Sequence, residues 1–405
     1  MTSLSTDVTV IVKVTNACDM KCRYCFIEPS VYHKTMQPDT AARVVRAFLG
    51  SEYFRTVHFV WHGGEPLLRG RAFFERIFAQ QRSSPTAVRY TNSTQTNATH
   101  LDDDLLDFLL ANDVSIGLSL DGPERLNDAS RRPRRADAGP DGPTSAPRAR
   151  ASTPRAQASA PRARASTPHA TTVAAAAALK RRGHQAGAIV TVNRNNVSEP
   201  EAVYHEFAGR GIHMKVNPLT RSGLADTPLG EDLGITAEEY GAFLVQLFDA
   251  WFDDPGRPIS IEPFGQHIAR ILGDAVSHSC FYTLSCHRFF LGISPDGDLF
   301  PCGMFQGEPS FRYGNINEIA PEDVGQTLLF GDIDERERRV LKTCSRCAFF
   351  DLCYSGCMFH SLKDSKMVAE KDYYCAGYKL YFEHALRRVA ANLPEAIARS
   401  TGSRG

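Results

Sequence analysis

What this 405-residue sequence has little of narrows its function first. It has no net charge, with 46 basic against 46 acidic residues, so no overall field draws it to nucleic acid or to a membrane. No apolar run approaches the roughly 20 residues that span a bilayer. The early "VTVIVKV" is too short for a secretory h-region, and it alternates like a strand. The N-terminal cysteine group, Cys18, Cys22 and Cys25, lacks a fourth thiol. Three is an awkward number for a disulfide or a tetrahedral metal site. Eleven cysteines without an export signal argue against a disulfide scaffold and for metal binding or catalysis in a reducing, cytoplasmic setting.

The length supports two or three domains. Strands are expected at 8–15, 55–66, 88–97, 115–123, 187–193 and 212–219, with helical stretches between them. Six β–α repeats predict an α/β fold with a parallel sheet, a partial barrel whose active-site residues lie at the C-terminal strand ends. Residues 1–225 are assigned to that barrel, 226–275 to a helical bridge and 276–385 to a small cysteine-rich domain. The last holds a hairpin around Asp296–Gly297. Residues 386–405 form the end of a C-terminal helix and a tail. In that helix Tyr378, Tyr381, Phe382, Ala385 and Val389 share helical spacing and are expected in the core.

A low-complexity insert at 136–168 interrupts the barrel, with "APRARASTP" repeated identically at 146–154 and 160–168. Such a composition cannot bury enough apolar surface to order itself, so a disordered loop is expected. From Arg131 to Pro168 there are nine arginines and two aspartates. The segment is read either as a tolerated surface insertion or as a basic arm for an acidic partner.

Cys18-x3-Cys22-x2-Cys25 follows directly on a strand. Three thiolates can hold three irons of a [4Fe–4S] cluster and leave the fourth open. The competing reading is a zinc knuckle completed by a distant ligand such as His33. Further on, Cys280-x5-Cys286-x10-Gly297-x4-Cys302 is followed by Cys344-x2-Cys347-x5-Cys353-x3-Cys357 and then Cys375. Two Cys₄ zinc sites would also use those eight residues.

The N-terminal spacing, with Tyr24 just before the last cysteine, resembles the signature of the radical S-adenosylmethionine (SAM) superfamily. "HGGEPL" (62–67) resembles that family's GGE motif, which implies SAM contacts for Gly63, Gly64 and Glu65. "QTN" (95–97) and "LSLDGP" (118–123) resemble later strand ends of the same barrel, which makes Asn97, Ser119 and Asp121 further candidates beside turn and cap roles. The C-terminal pattern resembles the SPASM domain. By that resemblance Cys280, Cys286, Cys302 and Cys357 would ligate one auxiliary [4Fe–4S] cluster, and Cys344, Cys347, Cys353 and Cys375 a second. Three, four and four account for all eleven cysteines.

The resemblance implies an enzyme that generates a 5′-deoxyadenosyl radical, with a flavodoxin, ferredoxin or other reductase as electron donor. In the anaerobic sulfatase maturases an Asp follows the cysteine of the G-x4-C unit and acts as base when a Cys or Ser is oxidised to formylglycine. Here Gly303 stands there, leaving Asp296 or Asp298 as substitutes. The chain therefore looks closer to maturases of ribosomally made precursor peptides, in particular the FxsB- and GrrM-like enzymes that join an aromatic ring to a β-carbon as a cyclophane. No peptide-recognition domain is seen before the barrel, so leader binding is expected to use the barrel, the SPASM region or a separate protein. A binding module without turnover, holding zinc or iron–sulfur, is the reading of another class.

Overall fold

The computed structural model describes residues 3–134, 166–256, 258–274, 280–365 and 371–401. Six strands run parallel in chain order: β1 (Asp7–Thr15), β2 (Thr56–Gly63), β3 (Arg89–Thr96), β4 (Val114–Ser119), β5 (Ala186–Val192) and β6 (Ile212–Pro218). The short β7 (Ile261–Glu262) continues them. Helices α1 (Pro38–Leu49), α2 (Gly70–Ser83), α3 (Asp103–Ala111), α4 (Glu124–Ser130), α5 (Pro168–Arg181) and α6 (Pro200–Arg210) cover the outside. The result is a partial TIM-type barrel, as the β–α repeats predict.

The period of two explains how the sheet closes. Val57, Phe59 and Trp61 of β2 are fully buried under the helices, while His58, Val60 and His62 alternate onto the inner face. On β1 the helix-facing positions are Val8, Val10, Val12 and Val14, and Lys13 on the opposite face is buried as well. An alternating strand with a charged inner residue is thus enclosed on both sides.

Helix α5 begins at Pro168, inside the end of the low-complexity stretch, because the Thr167 side chain accepts the Ala170 N–H at 3.2 Å and caps it. The last residues of the low-complexity stretch therefore belong to a helix start. The expected disorder of 136–165 falls outside the described residues.

The hairpin forms as β8 (Phe290–Ile293) and β9 (Asp298–Phe300), joined by β10 (Gly314–Asn315). It does not stand apart from the barrel. Strand β8 pairs in parallel with β1, from Thr9↔Phe290 to Val12↔Ile293, giving one sheet of ten strands. This satisfies the edge of β1, whose N–H and C=O groups would otherwise be unpaired. A Cβ on Gly292 would lie 2.4 Å from the Cys302 carbonyl, so glycine is what lets the returning chain lie against the sheet.

Among the described residues seven further helices follow: α7 (Ala237–Phe252), α8 (Phe264–Ile271), α9 (Leu328–Cys344), α10 (Phe350–Cys353), α11 (Met358–Ser365), α12 (Cys375–Ala391) and α13 (Leu393–Thr401). Thr236 and Glu239 form a capping box at the start of α7. Helices α7 and α12 cross in backbone contact: a Cβ on Gly377 would lie 2.0 Å from the Ala237 carbonyl, and one on Gly241 2.6 Å from Gly377 Cα. Tyr378, Tyr381, Phe382, Ala385 and Val389 are buried in the core, with Tyr381 packed on Phe248 and Phe264. Among the described residues no helix is long and apolar enough to cross a membrane.

Candidate active site and cluster ligands

Beyond β1, the cysteine loop is pinned by backbone from several directions. The Gly64 N–H donates to the Thr15 carbonyl at 2.8 Å and the Glu65 N–H to the Ala17 carbonyl at 2.9 Å. Both glycines are required by this approach, since a Cβ on Gly63 would meet the Thr15 carbonyl at 1.9 Å and one on Gly64 the Ala17 carbonyl at 2.3 Å. Across the loop, Lys21 N–H donates to Arg132 O, Arg23 N–H to Ser130 O and Leu224 N–H to Cys25 O, at 2.7–2.9 Å. The three thiols are half-buried, and burial pushes all of them up, Cys22 to about 12. Neutral thiols in such a place are poor donors, whereas bound metal would hold them as thiolates.

A zinc ion with Zn–S near 2.3 Å draws its ligand atoms to within about 4 Å of one another. Among the described residues the one trio of ligand atoms within 4.8 Å of each other is His287, Asp334 and Glu337; no three thiols are so close. His33 is exposed. The donor set fits a cluster whose thiolates each take a separate iron.

Around this loop the other candidates form three networks. Glu65 is fully buried and accepts from Leu67 N–H at 3.0 Å, Thr96 Oγ1 at 2.7 Å and Asn97 N–H at 2.8 Å. Burial pushes its pKa up to about 7 despite those donors. The carboxylate ties the ends of β2 and β3 together. Asn97 Nδ2 in turn reaches Cys18 Sγ at 3.7 Å and Asp19 Oδ1 at 3.0 Å. Ser119 Oγ receives Gln95 Nε2 at 3.1 Å. Tyr24 donates its hydroxyl to Asp121, which also accepts from Arg131 Nε and Thr191 N–H at 2.9 Å each. The Arg131 guanidinium lies 5.4 Å from the Tyr24 ring centre.

Two basic residues that the sequence reading passed over face the inside of the barrel near this mouth. Burial pushes Lys13 down to about 8, opposed by the Cys25 and Cys302 sulfurs. Burial, then Lys13, pushes His62 down to about 4. The His62 Nδ1 accepts the Gly63 N–H at 2.6 Å, which leaves its ring proton on Nε2. Deeper in, Lys215 pairs with Glu262 at 2.9 Å.

The remaining cysteines fall into two groups. Burial first, then Cys280 and Cys302, push the Cys286 thiol up, and Cys357 is pushed up by burial, Asp372, Cys280 and Cys286. Cys344, Cys347, Cys353 and Cys375 line a single pocket walled by Phe349, Phe350 and Phe382. Asp372, which the sequence gave no reason to single out, is buried beside both groups. It accepts the Cys357 N–H at 2.6 Å and the Tyr374 N–H at 2.8 Å. Asp296 is committed to Lys34, and Asp298 to Arg312 at 2.7 Å and Asn315 at 2.9 Å.

Comparison with known proteins places this arrangement. Residues 12–139 match the Radical SAM superfamily. The cysteine-type anaerobic sulfatase-maturating enzyme of Clostridium perfringens is 27% identical over 398 residues, covering 94% of this chain and 96% of the relative. The serine-type anaerobic sulfatase-maturating enzyme of Klebsiella aerogenes is 26% identical over 387 residues, covering 91% and 83%. The solved structure of native anSMEcpe with bound AdoMet and Cp18Cys peptide shares the fold at TM-score 0.77 and 24% identity, over 95% of this chain and 98% of that one. These relatives favour the sulfatase-type reading over the cyclophane one and leave no place for a non-catalytic module. The chain is an enzyme whose residues 12–139 match the Radical SAM superfamily and whose full length is similar to anaerobic sulfatase-maturating enzymes.

Proposed function

We propose that this enzyme removes hydrogen from the β-carbon of a side chain in a polypeptide substrate and oxidises a cysteine or serine; its relatives are named cysteine-type and serine-type anaerobic sulfatase-maturating enzymes. The observation that supports this best is similarity running the length of both chains, 94% of this one and 96% of the Clostridium perfringens relative. Three [4Fe–4S] clusters belong to the proposal: one on Cys18, Cys22 and Cys25 with SAM, one on Cys280, Cys286, Cys302 and Cys357, and one on Cys344, Cys347, Cys353 and Cys375. When bound, the open-iron cluster and SAM supply a radical able to take hydrogen from unactivated carbon. The chain's own part is positional. Gly63 and Gly64 bring β2 against the cysteine loop, and Glu65, Asn97, Ser119 and Tyr24 shape the SAM side of the mouth.

A second reading is favoured by Gly303. A Cβ there would lie 2.8 Å from Ile11 Cγ2, so an acid at this position has no room unless Ile11 moves. Asp296 and Asp298, the substitutes the sequence offered, are committed to the surface cations Lys34 and Arg312. Cyclophane formation does not deprotonate a thiol or hydroxyl. The hydrogen atom leaves Cβ, the carbon radical adds to an aromatic ring, and the ring then gives up a proton and an electron.

Anaerobic reconstitution with SAM and dithionite separates the two readings. One arm receives a cysteine-containing sulfatase peptide, the other the product of any small open reading frame found beside the gene. Formylglycine in the first arm supports sulfatase-type oxidation. Loss of two hydrogens with a new ring-to-Cβ bond in the second supports crosslinking. No 5′-deoxyadenosine in either arm, with fewer than about four irons per chain, sinks both.

A further inference from the structure

Strand β1 is the one strand that pairs with both β2, whose end clamps the Cys18–Cys25 loop, and β8, which leads to Cys302. Lys13 lies on its inner face between those two places. Its Nζ is 4.7 Å from the ring centre of Phe26, the residue after Cys25. Ile11, two residues back on the same face, touches the backbone that follows Cys302, at 2.8 Å from where a Gly303 Cβ would sit. Lys13 is 3% exposed, and among the described residues no carboxylate pairs with it. We infer that Lys13 is a fixed positive charge shared by two cluster sites, raising the reduction potentials of the clusters held at Cys18–Cys25 and at the Cys302 set.

The physical basis is direct. Reduction adds negative charge to a cluster, and a buried cation in a medium of low dielectric stabilises it. Net charge around a cluster is one of the terms that set its potential. Lys13 acts on the Cys25 and Cys302 sulfurs. The charges acting on Cys344, Cys353 and Cys375 are instead Lys371, Lys379, Arg336 and Asp372. The third site is therefore an internal control. This inference rests on cluster binding as proposed above.

The test is an EPR-monitored redox titration at pH 7 of the reconstituted wild type, Lys13→Met and Lys13→Arg. The auxiliary signals are identified in the variant lacking Cys18, Cys22 and Cys25. In Lys13→Met the first two clusters should become harder to reduce by about tenfold in the redox equilibrium, about 59 mV for one electron. Lys13→Arg should stay near wild type, and the third cluster should not move in either. Unchanged potentials in Lys13→Met, or an equal shift at all three sites, overturn the inference while leaving the cluster reading intact. If Lys13→Met takes up no iron, Lys13→Gln carries the same titration. Failure of both neutral variants to load shows a folding role and also overturns it. A wild type without clusters defeats the underlying reading instead.

Discussion

At the barrel mouth, Cys18, Cys22 and Cys25 sit on a loop pinned by the end of β2, by residues 130–132 and by Leu224. At the other end of the chain, Cys344, Cys353 and Cys375 hang from the ends of α9, α10 and α12 around a pocket. The first site offers three thiols and is flanked by buried cations, Lys13 and Arg131. The second offers four and lies beside a buried carboxylate, Asp372, which is only 2% exposed. The contrast separates two tasks for one kind of ligand. The proposed open coordination position needs a loop that cannot collapse onto it, and backbone hydrogen bonds from β2, residues 130–132 and Leu224 hold this one. A closed four-thiolate set orders its own surroundings once metal is bound, so helix ends suffice.

Breaking the first region should have the largest effect. Replacing Cys18, Cys22 and Cys25 with Ala should abolish SAM cleavage and leave about eight irons per chain, two four-iron sets; cleavage that persists would refute the assignment of the open site. Replacing Cys344 and Cys375 with Ala should remove about four irons and leave the EPR signal of the SAM-site cluster in place. Iron analysis beside EPR checks both. Gly377→Val sharpens the comparison structurally. Its side chain must push α12 off α7, at a cost of about 3 kcal/mol by overpacking, read as a lower denaturant midpoint. Thr236→Ala removes the α7 cap and should cost about 1 kcal/mol.

The smallest effect lies far from both sites, at Glu206. Burial would raise its pKa, but hydrogen bonds from Arg210 and His169 outweigh burial and hold the carboxyl below the usual range. A depressed carboxyl contributes stability above its unfolded pKa and loses it as pH falls through the folded value. Glu206→Gln should therefore flatten the acid loss of stability between about pH 5 and pH 3 by about 0.5 kcal/mol. Urea midpoints at several pH values would show it, and an unchanged acid limb would count against the pairing.

Most of the barrel strands were legible because they alternate with period two and end in a turn, although β3 buries Asn92, Thr94 and Thr96 in place of apolar residues. The inner position of Lys13 was not. In "VTVIVKVT" a lysine opposite four valines reads as a solvent face, and only closure of the sheet turns that face inward. The pairing of β8 with β1 was hidden for a related reason. A hairpin packed on its own region and one that extends a distant sheet have the same local pattern. Helix α4, seven residues long, and β7, two residues long, were too short to leave a period. Among the site residues, Gly63 and Gly64 could be read from sequence through the GGE resemblance, and the structure adds that only glycine allows their backbone approach. The commitment of Glu65 to three internal donors could not, since it depends on where β3 ends.

The pairing of β8 with β1 also has a temporal side. During synthesis the first strand emerges nearly three hundred residues before its second neighbour, Phe290–Ile293. Until then its outer edge stands open, an invitation to mispair with any other nascent strand. The barrel mouth therefore cannot reach its finished shape on the ribosome ahead of the C-terminal half, and loading of iron at the proposed first site is best completed only after β8 has paired.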